Sequence, residues 1–388
     1  MRIGFDVSQT AEEKAGCGFF ADQLIRHLCK LDRANEYVLY PTFYNYRNPL
    51  CARCAMPDTG RWTMHFKGTS FKEVSAGWDT KMPDRTSWLG NPDIVHANNF
   101  SCFKDHRAKI VYTLYDVALL VHPEVTTEAN RVICLEGLFN ASLYADHCIA
   151  ISEHTKQSFL HYFPHYPEEK ITVTHLGTRP SIKRIEDERV IRKVLSKFSL
   201  TRENFWLGVG TIEPRKNYRL LIDAYCAHND GKPLVIAGGK GWLESDIGNK
   251  IRGIGMENQI RFLGYVSDDE LSVLYSACFA FVYPSLYEGF GLPVLEAMSC
   301  GAAVITSNSS SLPEVGGDAV LYIDPRSRES LIGQMRLVAE NHQSLENLRA
   351  KSCVQASRFS WERTAKTVLS VYDCVFHAND LSYSRGLR

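Results

Sequence analysis

The chain has 388 residues, of which 45% are hydrophobic and 23% are charged, a composition typical of a globular protein. A chain of this length predicts two domains of roughly 150–200 residues each. The 44 lysines and arginines equal the 44 aspartates and glutamates in number. Because the chain carries no net basic charge to attract nucleic acid, we expect no nucleic-acid partner.

The first residues and the cysteines indicate the compartment. Residues 1–7 read as a strand and not as a secretory signal, and no apolar run approaches the roughly 18 residues that span a membrane. Most of the twelve cysteines lie inside apolar stretches, as reduced and buried thiols do. We therefore expect a cytoplasmic protein.

Short apolar runs alternate with segments of helical periodicity along the first half of the chain. Several of these runs are continuously apolar, as parallel strands buried on both faces are. Strands are predicted at 2–7, 36–40, 93–97, 109–114, 148–152 and 171–175, and helices at 19–31, 128–144 and 153–163. Residues 45–90 lack this regularity, and we interpret them as a long irregular segment or flap.

A second alternating series follows a polar segment at 178–188, which is the best candidate for a linker. Strands are predicted at 205–209, 233–237, 260–263, 279–283 and 303–306, and helices at 216–228, 242–253, 268–276, 291–300 and 361–374. Alternation in each half predicts an α/β fold of two doubly wound, Rossmann-like domains. Ligands of such sheets bind beyond the carboxyl ends of the strands, so we expect the active site in an inter-domain cleft.

Two cations stand where a predicted strand ends and a helix begins. The segment 208–217 reads GVGTIEPRKN and places Arg215 and Lys216 at the amino end of that helix, where the helix dipole disfavours positive charge. The pair is explained if it clamps a diphosphate, Arg215 bidentately and Lys216 as a point charge. The alternative is a solvated basic turn, which leaves the placement of the charges unexplained.

The segment 284–308, PSLYEGFGLPVLEAMSCGAAVITSN, carries two carboxylates around a glycine-rich turn. Gly289 and Gly291 predict a turn that opens a helix, and such a turn presents unpaired N–H groups to an anion, above all to phosphate. Glu288 lies in the turn and Glu296 lies in the helix that follows. Because carboxylates accept hydrogen bonds from sugar hydroxyls, the segment predicts a site for a phosphorylated sugar.

Two weaker candidate sites lie in the first half. Gly16 and Gly18 flank one cysteine between the first predicted strand and the first helix, which predicts either close approach of a phosphate or a plain loop. Tyr115 and Asp116 end another strand and would point into the cleft. His122 follows shortly after, and we interpret it as a surface histidine.

No metal site is predicted. Cys51 and Cys54 form one CxxC pair, and no second pair follows at the spacing of a zinc finger, which favours loop cysteines. The acidic run SDDEL at 267–271 is explained as a helix start, because Ser267 and Glu270 have the spacing of a capping box.

These motifs resemble the retaining glycosyltransferases of family four, which have the GT-B fold of two facing Rossmann-like domains. The similarity covers GTIEPRKN, GYVSDDELSVLYSAC, the segment 284–325 and FSWERTA in the second half, and ISEHTKQSFLHYFPHYPEEKITVTHLGT at the end of the first. The resemblance implies an acceptor-side domain at 1–178 and a nucleotide-sugar-binding domain at 179–360. It also implies a C-terminal helix at 361–388 that packs on the first domain.

The resemblance assigns the phosphate and sugar contacts of a nucleotide-sugar donor. By motif position, Arg215 and Lys216 would hold the diphosphate. Glu296 would bind the ribose hydroxyls, and Glu288 would bind the donor sugar.

The resemblance also implies contacts made by the backbone. The chain around Phe290, Gly291 and Leu292 would lie against the sugar and phosphate. Gly16 to Gly18 would approach the diphosphate or the acceptor from the first domain.

One position departs from the family pattern. Many members carry His-Asp where this chain has Tyr115-Asp116, and that histidine touches the donor sugar near the reacting carbon. Tyrosine can donate a hydrogen bond, but it cannot act as a cation near neutral pH. We keep Asp116 among the expected catalytic residues with Glu288, Arg215 and Lys216.

The expected activity is that of a retaining glycosyltransferase in polysaccharide or glycolipid biosynthesis. The donor would be GDP- or UDP-linked, and we expect mannose from GDP-mannose. The acceptor would be a carbohydrate or a lipid-linked saccharide. We expect a front-face reaction without a metal cofactor, in which the paired cations and the helix end at Gly291 stabilise the leaving diphosphate. A lipid-linked acceptor would make the protein peripheral at the inner face of the membrane.

Two other functions remain open at this point. A sugar-nucleotide isomerase, such as a 2-epimerase, uses the same two-domain architecture but needs catalytic acids that the sequence does not identify. A non-catalytic protein that binds sugar nucleotides is the third alternative. Incubation with nucleotide sugars would distinguish the three. Release of nucleoside diphosphate indicates a transferase, interconversion of sugars indicates an isomerase, and no change indicates a binding protein.

Overall fold

The structure is a computed structural model, and it describes residues 1–10, 16–43, 46–47, 60–66, 69–79, 84–105, 107–125, 127–239, 244–253 and 255–385. The chain divides into two compact units, Met1–Leu176 with Trp361–Arg388, and Gly177–Ser360. Cys51 and Cys54 lie outside the described residues, as does the start of the helix predicted at 242–253. Among the helices that are described, none has the length and apolar character needed to cross a membrane.

The first unit is built on a parallel sheet. Its strands are β1 Arg2–Asp6, β2 Glu36–Tyr40, β3 Thr42–Phe43, β4 Tyr46–Arg47, β5 Trp62–Met64, β6 Ile94–Ala97, β7 Lys109–Leu114, β8 His147–Ala150 and β9 Ile171–Val173. The sheet order is β5-β2-β1-β6-β7-β8-β9, and β3 pairs separately with β4. Because β1 pairs with β2 on one side and β6 on the other, a topological switch point lies between β1 and β6, where sheets of this kind bind ligands.

The last helix of the chain belongs to the first unit. The helices of this unit are α1 Gly16–Leu31, α2 Phe71–Asp79, α3 Arg85–Trp88, α4 Ala118–Val121, α5 Glu128–Tyr144, α6 Glu153–Tyr162 and, at the end of the chain, α15 Trp361–Arg385. Helix α15 packs against α1. The Tyr372 hydroxyl lies 2.5 Å from Nδ1 of His96, a residue of β6. Burial lowers the pKa of His96 to about 3, so this contact is a hydrogen bond to a neutral imidazole.

The second unit repeats the same plan. Its strands are β10 Trp206–Val209, β11 Leu234–Ala237, β12 Ile260–Gly264, β13 Ala280–Tyr283, β14 Val304–Ser307 and β15 Leu321–Ile323. Its helices are α7 Glu188–Lys197, α8 Tyr218–His228, α9 Glu244–Gly253, α10 Asp268–Ala277, α11 Leu292–Ser299, α12 Leu312–Gly316, α13 Arg328–Glu340 and α14 His342–Ala356. The parallel sheet has the order β12-β11-β10-β13-β14-β15, which places its switch point between β10 and β13.

The segment predicted as a linker at 178–188 begins directly after the boundary between the two units, and it is bound along α10 within the second unit. The backbone N–H of Lys183 donates to Ser272 Oγ at 3.3 Å, and that of Ile185 donates to Ser276 Oγ at 3.0 Å. Serines four residues apart lie on one face of a helix, so they satisfy the backbone of a neighbouring extended segment. The polar composition of 178–188 therefore reflects paired polar groups and not a free connection.

Candidate active site

The predicted donor-site residues meet at the switch point of the second sheet. Arg215 and Lys216 follow β10, and Glu288 follows β13, its neighbour in the sheet. The two cations lie in a short 3-10 turn, Pro214–Lys216, and not in the first turn of the helix as predicted. Helix α8 begins at Tyr218, because Asn217 adopts a left-handed conformation (φ 58°) that separates the two elements.

Glu288 is buried and accepts hydrogen bonds on both carboxylate oxygens. Its Oε2 accepts from Nη1 of Arg215 at 2.6 Å, and its Oε1 accepts from Nζ of Lys216 at 2.8 Å. The Tyr283 hydroxyl donates to the same Oε1 at 2.8 Å, and Ser285 Oγ lies 2.6 Å from it. Burial opposes ionisation, but the charges of Arg215 and Lys216 outweigh it and lower the pKa of Glu288 to about 2.

Lys216 is almost fully buried, although it was expected to be a phosphate ligand at a helix end. Its Nζ also contacts the Tyr283 hydroxyl, so two of its three donor protons are used among the described residues. Burial lowers the pKa of this amine, and the Glu288 carboxylate opposes the shift. Arg215 makes a second ion pair, with Glu213 at 2.9 Å. The cations are therefore held by carboxylates of the second unit.

The turn after Glu288 has a left-handed backbone conformation at one of its two glycines, Gly291. Gly291 is the residue before α11 and has φ 106°, a left-handed value that favours glycine. A Cβ at Gly291 would lie 2.8 Å from Cδ2 of Leu312. Ser311 Oγ lies 2.8 Å from the carbonyl oxygens of both Glu288 and Phe290 and so fixes the path of the turn. Gly291 is thus the N-cap and Leu292 the first residue of α11, whose amino end is able to bind an anion.

Glu296 pairs with a residue that the sequence did not identify. Arg179 donates two hydrogen bonds to it, from Nε to Oε1 at 2.5 Å and from Nη2 to Oε2 at 3.0 Å. Burial raises the pKa of Glu296, although the Arg179 guanidinium limits the rise. Arg179 lies in the segment interpreted as a linker, more than 100 residues before its partner, and no local pattern connects the two positions.

The glycines of the first unit do not form the predicted turn. Gly16 and Gly18 lie in the first turn of α1, which begins three residues earlier than predicted. Among the described residues, no atom lies within 4 Å of a Cβ placed at Gly16. Gly18 is buried inside the unit.

Tyr115 and Asp116 lie at the carboxyl end of β7, as predicted. The Tyr115 hydroxyl donates to the carbonyl oxygen of Cys17 at 3.4 Å, at the start of α1. Asp116 Oδ1 accepts from the N–H of Ala118 at 2.9 Å, at the start of α4. His122 is half-buried and pairs with Glu124 at 3.1 Å, so it is not a free surface histidine.

Asp6 is a candidate residue of the first unit that the sequence analysis did not single out. It ends β1 at the switch point, beside Asn98, whose Nδ2 donates to the Asp6 carbonyl oxygen at 3.2 Å. Its Oδ1 accepts from the N–H of Ser8 at 2.9 Å, whereas its buried Oδ2 has no hydrogen-bond partner in the described part of the chain. Burial raises the pKa of Asp6, and the hydrogen bonds from Ser8 and Asn98 lower it. The effect of burial is larger, so the pKa is about 6.

The acidic run at 267–271 is a helix cap, as predicted. The Ser267 hydroxyl and the Glu270 carboxylate form both hydrogen bonds of a capping box. The neighbouring Asp268 instead accepts a hydrogen bond from Nη1 of Arg179 at 2.7 Å. No group of three or more His, Cys, Asp or Glu side chains within the described ranges is placed to hold a metal ion.

The chain is similar to known glycosyltransferases. Residues 192–353 match the family model described as glycosyl transferases group 1. The O-antigen chain mannosyltransferase B of Escherichia coli is 36% identical over 286 residues, which cover 72% of this chain and 74% of that protein. The serotype-specific mannosyltransferase WbdA of Escherichia coli is 34% identical over 228 residues, which cover 57% of this chain but only 28% of that protein.

Solved structures share the fold over nearly the whole chain. Anabaena Alr3699/HepE in complex with UDP and glucose has a TM-score of 0.73 at 18% identity, covering 96% of this chain and 99% of that chain. WaaG, a glycosyltransferase involved in lipopolysaccharide biosynthesis, has a TM-score of 0.67 at 14% identity, covering 92% and 95%. These matches confirm the expected GT-B class of two Rossmann-like domains. The chain belongs to the glycosyl transferases group 1 family and is a glycosyltransferase.

Proposed function

We propose that the protein is a retaining, metal-independent mannosyltransferase that transfers mannose from GDP-mannose to a hydroxyl of a saccharide acceptor during polysaccharide biosynthesis. The arrangement of Arg215, Lys216 and Glu288 at the switch point of the second sheet carries this proposal, because it joins cations to a sugar-binding carboxylate. The choice of mannose rests on two similar relatives, both named as mannosyltransferases.

In the proposed site, Glu288 binds the donor sugar and is not the nucleophile. A pKa of about 2 makes its carboxylate a weak base. Its Oε1 is surrounded by Lys216, Tyr283 and Ser285, whereas the described contacts of Oε2 are with Arg215. Oε2 therefore retains acceptor capacity for one sugar hydroxyl.

The proposed reaction takes place on one face of the donor sugar. The acceptor oxygen forms a bond to the anomeric carbon while the bond from that carbon to the diphosphate oxygen breaks. The acceptor proton passes to the leaving diphosphate, so no carboxylate base is required. Arg215, Lys216 and the amino end of α11 at Phe290, Gly291 and Leu292 would stabilise the charge that develops on the diphosphate.

The acceptor is assigned to the first unit. Asp6 and Asp116 lie at the carboxyl ends of β1 and β7, where polar side chains of such sheets contact ligands. Carboxylates there would accept hydrogen bonds from the hydroxyls of a carbohydrate or of a lipid-linked saccharide. A lipid-linked acceptor would also bring the protein to the membrane surface, which sedimentation with vesicles that contain the acceptor would test.

A transfer assay tests the proposal. The purified protein is incubated with GDP-mannose or UDP-sugars and with a mannose-terminated oligosaccharide. The products are identified by mass spectrometry, and the anomer is identified by the one-bond C1–H1 coupling in NMR spectra. We expect GDP release and an α-linked product, with the same rate in the presence of EDTA. Interconversion of the sugar nucleotide would instead identify an isomerase, and an inverted linkage or a loss of turnover in EDTA that Mg²⁺ restores would contradict the proposed mechanism.

A further inference from the structure

Arg179 connects two carboxylates of the second unit. Its Nε and Nη2 donate to the two oxygens of Glu296, and its Nη1 donates to Oδ1 of Asp268 at 2.7 Å. The other oxygen of Asp268 accepts from Ser181 Oγ at 2.5 Å. We call these four side chains, Arg179, Glu296, Asp268 and Ser181, the Arg179 brace.

The contact between Arg179 and Glu296 is buried and directional, whereas Asp268 and Ser181 lie at the exposed end of the brace. The side chain of Glu296 is 2% exposed and that of Arg179 is 15% exposed. The planar guanidinium matches both carboxylate oxygens, so it fixes the plane of the carboxylate as well as its position. Asp268 is the first residue of α10, a helix that the Ser267 cap holds in place. The brace therefore transfers the rigidity of α10 to the Glu296 side chain.

Glu296 retains acceptor capacity within the brace. An ionised carboxylate has about four lone-pair sites, and Arg179 occupies one on each oxygen. The Tyr275 hydroxyl also neighbours this carboxylate and lowers its pKa. The acceptor capacity that is left suits a ribose hydroxyl. Without Arg179, the buried carboxylate would lose its counter-charge and would be free to rotate.

We propose that Arg179, held by Asp268, is a positioning residue that orients Glu296 toward the ribose hydroxyls of the nucleotide-sugar donor. This inference rests on the proposed function, which supplies the nucleotide. Arg179 does not contact the reacting atoms in this scheme. Its loss should weaken recognition of the nucleoside and leave recognition of the diphosphate unchanged.

Calorimetric titration of the full chain with three probes tests the inference. The probes are GDP, UDP and inorganic pyrophosphate, which lacks the ribose. In Arg179→Met, we expect affinity for the nucleoside diphosphate that binds the wild type to fall by about tenfold to a hundredfold, with unchanged affinity for pyrophosphate. Arg179→Lys keeps the charge but loses the bidentate geometry. Its affinity for the nucleoside diphosphate should lie between those of the wild type and Arg179→Met.

A double-mutant cycle separates positioning from general stability. If Arg179 acts through Glu296, the double variant Arg179→Met/Glu296→Gln binds the nucleotide no more weakly than Glu296→Gln alone. Asp268→Asn should show a smaller, nucleoside-specific loss. Glu270→Gln, which removes one partner of the cap on the same helix, is the matched control and should bind all probes as the wild type does.

Three results would overturn the inference: wild-type nucleotide affinity in Arg179→Met, an equal loss for pyrophosphate, or additive losses in the cycle. If Arg179→Met does not fold, the Arg179→Lys and Asp268→Asn variants provide the same comparison. A wild-type protein that binds none of the nucleotides would contradict the proposed function itself, which is a different result from a failure of the brace.

Discussion

Lys216 and Glu288 form a buried ion pair with an N–O distance of 2.8 Å, although 72 residues separate them in the chain. The pair lies where β10 and β13 end, and these strands are neighbours in the sheet but not in the sequence. A cation predicted to bind phosphate and a carboxylate predicted to bind sugar are therefore parts of one charged cluster, and a change in either affects both binding and stability.

Replacing Lys216 by Met should reduce transfer and stability together. Transfer should fall on the order of a hundredfold or more, because the developing charge on the diphosphate loses a fixed cation. The free energy of unfolding should also fall, by up to about 3–5 kcal/mol, since one partner of a buried pair is removed. Single-turnover assays and urea denaturation measure the two effects. Lys197→Met, which removes an exposed pair with Glu270, is the control and should change neither quantity appreciably.

The stability of the protein should depend on Glu288 in acid. The pKa of Glu288 in the folded protein is about 2, below its usual value of 4.5. The contribution of ionised Glu288 to the free energy of unfolding is therefore complete above pH 4.5 and is lost as the pH falls toward 2. The shift corresponds to about 3 kcal/mol. Denaturation of the wild type and Glu288→Gln between pH 7 and pH 3 should show a stability difference that shrinks in acid. Glu257→Gln, at an exposed position, should give no such trend, and a constant difference for Glu288→Gln would contradict the prediction.

Asp6 should have the opposite pH dependence. Its folded pKa of about 6 exceeds the ordinary value of 3.8, so the unfolded chain binds fewer protons between these values and stability falls as the pH rises through them. Asp6→Asn removes this loss and should be more stable than the wild type at pH 7 by about 3 kcal/mol. The same variant should raise the KM for the acceptor and leave GDP affinity unchanged. Lower stability at pH 7, or unchanged acceptor kinetics, would show that Asp6 has a purely structural role.

Two glycine substitutions should have opposite effects on stability. Gly291→Ala places a Cβ at φ 106° and 2.8 Å from Leu312, so it should destabilise the protein by about 1–3 kcal/mol and weaken donor binding. Gly333→Ala lies inside α13, where a Cβ meets no atom within 4 Å, and should stabilise by about 0.5–1 kcal/mol. Thermal unfolding with and without GDP measures both. Equal shifts of the same sign would contradict the assigned strain.

Much of the fold was predictable because it follows from local patterns. The largely apolar run Lys109–Leu114 is a strand and the periodic segment Glu128–Tyr144 is a helix, both with the bounds that were predicted. The short strand β15 and the helices α12 to α14 were not predicted. Strand β15 and helix α12 have only three and five residues, too few to show a period, whereas α13 carries its buried Leu331, Met335 and Val338 at helical spacing. The last helix runs to Arg385, well beyond its predicted end at residue 374.

Local patterns in the sequence were sufficient to predict the α/β class, the glycine turn before α11 and the cap of α10, because each depends on residues close together in the chain. The pairing of charges depends on the folded chain: Lys216 pairs with Glu288, and Arg179 pairs with both Glu296 and Asp268. These partners are brought together by the order of the strands, which local periodicity does not encode. The charge state of a buried group then depends on its distant neighbours. The low pKa of Glu288, and an Asp6 oxygen with no hydrogen-bond partner among the described residues, are therefore properties of the folded units and not of the motifs.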